Sequence, residues 1–162
     1  MEGYTFSTPV RVRFADTDAQ GIAHNAAYLV WFEVARVEYL RAFAGGYQAL
    51  RDRGIEAIVL ESFCRYLVPC RFDDELVVHT RCVDLRGARF RYEYAIARAA
   101  REASPAGPAT PGGTTPGVAR WELVADGWTA HACVDAATFR PTRVPDWLAA
   151  SLRDAESSSS AS

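Results

Sequence analysis

Residues 16–44 read DTDAQGIAHNAAYLVWFEVARVEYLRAFA. A polar loop with two acids, a glycine, a histidine and an asparagine runs into an apolar segment, Ala26 to Ala44, that contains neither Pro nor Gly. Asn25 fits a helix N-cap and Gly45-Gly46 fits a helix stop, so the spacing predicts one long helix. Its only charges are Glu33, Arg36, Glu38 and Arg41, which leave most of the cylinder apolar. A helix of that character is expected to be enclosed by the rest of the fold rather than laid on a surface. Glu33 on such a helix needs a partner, and Arg36 on the next turn is available.

Outward from this helix, nearly everything reads as strand. Residues 8–15, TPVRVRFA, alternate through Val10, Val12 and Phe14. Residues 55–68 end at Pro69, and residues 75–85 and 88–98 flank the turn-like Arg86-Gly87. In the last of these, Phe90, Tyr92, Tyr94 and Ile96 share one face, with Arg89, Arg91 and Glu93 on the other. Residues 118–135 form a further β region in which Asp126-Gly127 fits a bulge within one long strand better than a hairpin turn. The segment 101–117, REASPAGPATPGGTTPG, has the composition of a flexible surface loop. PDWLAASLRDA fits a short amphipathic helix, and the end in SSSSAS a disordered tail. The division is thus one domain over 1–150, followed by a partly disordered tail over 151–162. One long helix and about five antiparallel strands form an α+β arrangement, in which the sheet must curve around the helix to bury it.

Composition narrows the function. At 162 residues the chain suits one domain, and 49% apolar with 23% charged residues are globular values. A net charge of −2 gives no general attraction to nucleic acid or anionic membranes. No segment has the length of uninterrupted apolar sequence that a membrane span needs, and MEGYTFSTPV lacks the features of a signal peptide. The four cysteines, Cys64, Cys70, Cys82 and Cys133, have no ligand-like spacing, and are expected to be reduced thiols in strands of a cytoplasmic protein. His79 and His131 lie on separate strands with no third ligand nearby, which argues against a metal site. All 18 basic residues are arginine; without lysine there is no Walker-type phosphate loop and no Schiff-base chemistry.

With these elements in place, DTDAQGIAHNAAYLVWFEVAR resembles the leading motif of hotdog-fold thioesterases of the 4-hydroxybenzoyl-CoA thioesterase type: strand, D-x-D-x-x-G, then N-x-x-Y opening the central helix. YLVPCRFDDEL is similar to that family's connection between its second and third strands, and LVADGWTAHACVD to its long last strand. The resemblance implies a hotdog fold and hydrolysis of an acyl thioester, either acyl-CoA or an acyl-carrier protein. It implies no metal or redox cofactor, and assembly as a homodimer or homotetramer with the site between subunits. A stand-alone chain of GC-rich style is also compatible with a polyketide pathway.

The resemblance makes Asp18 the catalytic carboxylate, as nucleophile or general base, and Asp16 a structural acid. It points to the backbone N–H near Asn25 as oxyanion donor; independently, the first N–H groups of a helix are unsatisfied and its dipole polarises a docked carbonyl. Gly21 lets the loop fold the carboxylate back toward the helix end. His24 is open between bonding Asp18, contacting the acyl group and sitting in the loop, while Tyr28 fits core packing together with pocket lining. The resemblance sets Arg86 and Arg89 near coenzyme phosphates, against the plainer reading of two solvated arginines. Two alternatives differ in class: a hotdog dehydratase or hydratase using His24 with Glu33, and a non-catalytic acyl-binding module.

Overall fold

The computed structural model describes residues 1–99 and 121–157, so the 101–117 segment and all of the SSSSAS tail but Ser157 lie outside the described residues. The elements are β1 (Phe6–Arg11), α1 (Asn25–Ala44), α2 (Gly46–Arg51), β2 (Ile55–Tyr66), β3 (Glu75–Arg86), β4 (Arg89–Ala99), β5 (Trp121–Asp135) and α3 (Asp146–Ser157). One sheet holds all five strands in the order β1-β3-β4-β5-β2, with every pairing antiparallel. The sheet curves around α1, which is the hotdog fold expected from the sequence.

Helix α1 buries Ala27, Tyr28, Trp31, Phe32, Ala35, Tyr39, Leu40 and Ala44, a spacing of three and four that marks one face. That face meets the inward stripe of β4, where Phe90, Tyr92, Tyr94 and Ile96 are all buried, as their alternation predicts. Phe32 stacks on Tyr94 with ring centroids 4.2 Å apart and planes 8° from parallel. Gly127 in β5 permits this approach: a Cβ there would lie 2.2 Å from the Phe63 carbonyl oxygen and 2.8 Å from the Phe32 ring. β5 is therefore one long strand, as expected, but its irregularity is not at Asp126-Gly127. The register of β4 against β5 passes from Ile96↔Ala125 to Ala97↔Leu123, so the extra residue is Val124.

The opposite face of α1 is a correction. The helix is apolar nearly all round, yet the single chain covers only one side of it, and Leu29, Val30 and Val34 are exposed. Beside them the edge strand β2 exposes Val59, Leu60 and Phe63. Glu33 also lies on the open side; its carboxylate comes only within 3.9 Å of Arg36. At the N-terminal end, β1 stops at Arg11, and Phe14 belongs to a 3-10 turn, Phe14–Asp16, that takes it out of the strand alternation. Its ring is 78% exposed and packs edge-on against Phe72.

Gly45 ends α1 in a left-handed conformation at φ 75°, with its N–H donating to the Leu40 carbonyl. The expected boundary at residue 150 falls inside α3, whose Leu148, Leu152 and Ala155 are buried. Glu156 near its end accepts from the Tyr39 hydroxyl at 2.5 Å, the Cys82 N–H at 2.8 Å and the Thr5 hydroxyl at 3.1 Å, fastening the helix to the sheet. All four cysteines are free; Cys70 lies in the β2–β3 connection rather than in a strand.

Candidate active site at the start of helix α1

The polar loop is built to a fixed shape by its own backbone. Asp18 N–H donates to the Ile22 carbonyl at 2.9 Å, and Gly21 N–H returns to the Asp18 carbonyl at 2.9 Å. Gly21 takes φ +71°, where a side chain is strained, although a Cβ would meet nothing within 4 Å. Its requirement is conformational rather than steric. Ala23 N–H donates to the Cys70 carbonyl at 2.8 Å, which ties the loop to the β2–β3 connection.

Asp16 is the structural acid. It is buried, accepts from the Arg13 backbone N–H at 2.9 Å and the Arg13 guanidinium at 2.7 Å, and its own carbonyl receives the His24 N–H. The hydrogen bonds from Arg13 hold its carboxyl below the usual carboxylate range. Asp18 is different. It is half-buried, its Oδ1 accepts from Gln20 N–H at 2.8 Å, and Oδ2 accepts no hydrogen bond among the described residues. One carboxylate is locked and the other keeps a free oxygen.

The helix cap is His24, not Asn25. Its Nδ1 accepts from the Ala26 N–H at 3.1 Å, and α1 starts one residue earlier than the cap reading had it. His24 Nδ1 is thus taken up by the cap, and no hydrogen bond joins His24 to Asp18 among the described residues. The Asn25 N–H, by contrast, finds no acceptor among the described residues, as the first turn of a helix allows. The Asn25 carbonyl receives the Tyr66 hydroxyl at 3.2 Å.

Asp18, His24, Asn25 and Tyr28 share a cavity of about 450 Å³ whose far wall is Tyr66, Leu67 and Val68. The Val124 bulge sets that wall: its carbonyl receives both the Leu67 and the Val68 N–H, at 2.9 and 3.0 Å, and so ends regular β2 pairing there. Tyr28 both packs and lines, being 3% exposed with its ring 4.9 Å edge-on from Tyr66. Burial, with a contact to the Cys70 thiol, pushes its hydroxyl far up, so it stays protonated. The nearby thiols are no nucleophiles either: burial raises Cys70, and raises Cys64 to about 11.

The wall residues Tyr66, Leu67 and Val68 escaped the sequence reading. They lie in the quoted YLVPCRFDDEL stretch, but their place opposite Asp18 depends on strand register, which is nonlocal. Arg86 and Arg89 pair with each other at the β3–β4 turn and are exposed. Arg89 registers with Ala132, whereas Tyr66 registers with Ala125, opposite Ile96. Seven residues of β4 separate those levels, roughly 23 Å, so the turn does not join the Asp18 cavity of its own chain. His24 and Glu33 are likewise apart, by about 13 Å of helix rise, and do not form a histidine–acid pair. Among the described residues no group of three or more His, Cys, Asp or Glu gathers as a metal site.

Residues 12–152 match the thioesterase-like superfamily. The chain is 30% identical over 142 residues to the putative acyl-CoA thioesterase YneP of Bacillus subtilis, covering 85% of this chain and 88% of that protein. It is 39% identical over 94 residues to the acyl-CoA thioesterase YbgC of Haemophilus influenzae, covering 57% of this chain and 69% of that one. A crystal structure of a hypothetical protein from Aquifex aeolicus superposes with a TM-score of 0.71 at 29% identity, over 91% of this chain and 98% of that chain.

Proposed function

The chain belongs to the thioesterase-like superfamily, and from that membership we propose that it hydrolyses acyl-CoA thioesters at the cavity in front of α1, with Asp18 as the working carboxylate. The observation that carries the assignment is the contrast between the two acids. Asp16 spends its oxygens on Arg13, while Asp18 keeps Oδ2 unengaged on the cavity wall. A thioester carbonyl docked at the helix end would receive the Asn25 N–H and the positive end of the α1 dipole as its oxygen gains charge. Asp18 then either attacks the carbonyl carbon, expelling the thiolate and forming an anhydride that water opens, or takes a proton from the water that attacks. Both routes yield a free acid and a thiol. His24 lines the cavity and keeps the first turn of the helix in shape.

Membership supports coenzyme A as the thiol carrier, because the relatives YneP and YbgC are named for acyl-CoA; a carrier protein's phosphopantetheine arm offers the same thioester. The exposed Leu29, Val30 and Val34 beside the open edge of β2 support a homodimer or homotetramer, in which a second copy covers this apolar surface. In that assembly any contact of Arg86 or Arg89 with the cavity comes from the partner.

The test is release of free thiol across panels of acyl-CoA and acyl-carrier-protein thioesters, with Asp18→Ala as control. Cleavage of at least one member well above the control is expected; no cleavage above it ends the proposal. Single turnovers in heavy-oxygen water probe the two routes: label in the protein requires attack by Asp18 and opening of the anhydride at the Asp18 carbonyl.

A further inference from the structure

One residue on the far wall of the cavity in front of α1 reaches back to the helix. Tyr66 ends β2, is 47% exposed, and lines the cavity together with Asp18 and Asn25. Its hydroxyl donates to the Asn25 carbonyl at 3.2 Å. Asn25 is also the residue whose N–H is offered to a docked thioester carbonyl. Three bonds join that nitrogen to the Asn25 carbonyl oxygen, about 4 Å of path at most, so the Tyr66 hydroxyl lies within roughly 7 Å of the donor. Tyr66 therefore flanks the reacting carbonyl.

What holds this side chain is separate from what holds its backbone. Tyr66 pairs with Ala125, and just beyond it the Val124 carbonyl receives the Leu67 and Val68 N–H groups. None of these bonds involves the side chain. The ring is held instead by the first turn of α1, through the hydroxyl bond to Asn25 and the edge contact with Tyr28, at 4.9 Å and 78°. Partial burial, with the nearby Cys64 thiol, raises the Tyr66 hydroxyl above its ordinary value, so it keeps the proton it donates. Tyr28 is 3% exposed and belongs to the core. Of the two tyrosines on the cavity, only Tyr66 can be cut back without opening that core.

A side chain in this place acts on the acyl part of the substrate. The nucleophile, Asp18 or its water, approaches one face of the planar thioester, and the other face looks toward the far wall. A linear acyl chain can lie in the thioester plane and pass that wall. A chain branched at the carbon next to the carbonyl cannot keep all its carbons in the plane, and the extra carbon projects toward Asp18 or toward Tyr66. We propose that Tyr66 is a specificity-determining residue of this site: its ring limits branching beside the thioester carbonyl, and its bond to Asn25 holds the ring at that limit. The role rests on the hydrolase reading for where the carbonyl docks.

The probes are butyryl-CoA and isobutyryl-CoA, which hold the same acyl atoms in linear and branched form. Thiol release gives the ratio of kcat/KM for the pair in each full-length protein. Wild type is expected to favour butyryl-CoA. Tyr66→Ala is expected to move the ratio toward isobutyryl-CoA about tenfold or more, as one hydrocarbon group in a pocket is worth. Tyr66→Phe keeps the ring but frees it from Asn25, and should move the ratio about two- to fivefold in the same direction. A merely supporting role would weaken both substrates alike and leave the ratio fixed. Urea midpoints of both variants should stay close to wild type, because the backbone at Tyr66 is pinned without the side chain. Calorimetry repeats the comparison with two uncleavable ketones, in which a methylene separates the sulfur of coenzyme A from the butyryl or isobutyryl group. No thiol release from any acyl thioester ends the hydrolase reading; whenever neither probe is cleaved, the ratio of ketone affinities decides the role of Tyr66. A ratio unchanged in Tyr66→Ala, or no binding of either ketone where neither probe is cleaved, overturns the proposal.

Discussion

The two cavities along α1 differ in how their polar groups are satisfied. At the helix start the loop closes almost every backbone bond on itself and leaves one carboxylate oxygen and one N–H unengaged. That pairing of a base with a donor is suited to chemistry on a carbonyl. Beside the middle of the helix a second cavity, of about 260 Å³, is lined by Arg36, Val37, Phe90, Tyr92 and His131, but the unpartnered atoms there, Tyr92 Oη and His131 Nδ1, are closed off from it. The same helix therefore has two kinds of surroundings, because its start meets a loop and its middle meets the inner face of β4 and β5.

The largest effect that would break this contrast is at Asp18. Asp18→Asn keeps an oxygen for the Gln20 N–H, so the loop should stand while turnover falls roughly a hundred- to ten-thousandfold, the range for losing a positioned acid or base. Thiol release measured alongside circular dichroism checks both halves. Next is the packing of α1 on the sheet. Gly127→Ala places a carbon against the Phe63 carbonyl and the Phe32 ring, and should cost about 2–3 kcal/mol or more in urea unfolding, as overpacking does. Gly21→Ala offers a matched control, strained in φ but meeting no atom; its cost should be nearer 1 kcal/mol.

His131 sharpens the contrast through pH. Its pKa is about 3 in the fold against 6.5 for a free imidazole, so the unfolded chain takes up the proton first. Its contribution is complete above about pH 6.5 and is lost as pH falls from there toward 3. By pH 5 the loss is about 2 kcal/mol, and a His131→Phe variant should show a flatter stability profile over this interval. The smallest effect is at the cap. His24→Ala should destabilise by about 1 kcal/mol, visible as a small shift in the urea midpoint, because Ala26 N–H loses its acceptor.

How far these features could be read from sequence depended on how local their causes are. The alternation of Phe90, Tyr92, Tyr94 and Ile96, the Gly45 stop and the acid-rich loop before α1 are set by neighbours in the chain, and the fold and the loop side of the first cavity follow from them. His24 displaced Asn25 as cap because its ring folds back onto Ala26, a choice between adjacent polar residues that composition does not settle. Phe14 left the strand because Asp16 closes a turn on the Arg13 backbone. Glu33 proved exposed because a helix apolar on all sides does not say which side its own chain covers. The second cavity was out of reach: Arg36, Tyr92 and His131 come from three elements joined by register.

The most direct measurement compares kcat and KM for wild type and Asp18→Asn on the best acyl-CoA found in the thiol-release panel. With Asp18 as the working carboxylate, kcat falls at least about a hundredfold while KM changes little. A variant that keeps wild-type turnover would contradict the role given to Asp18.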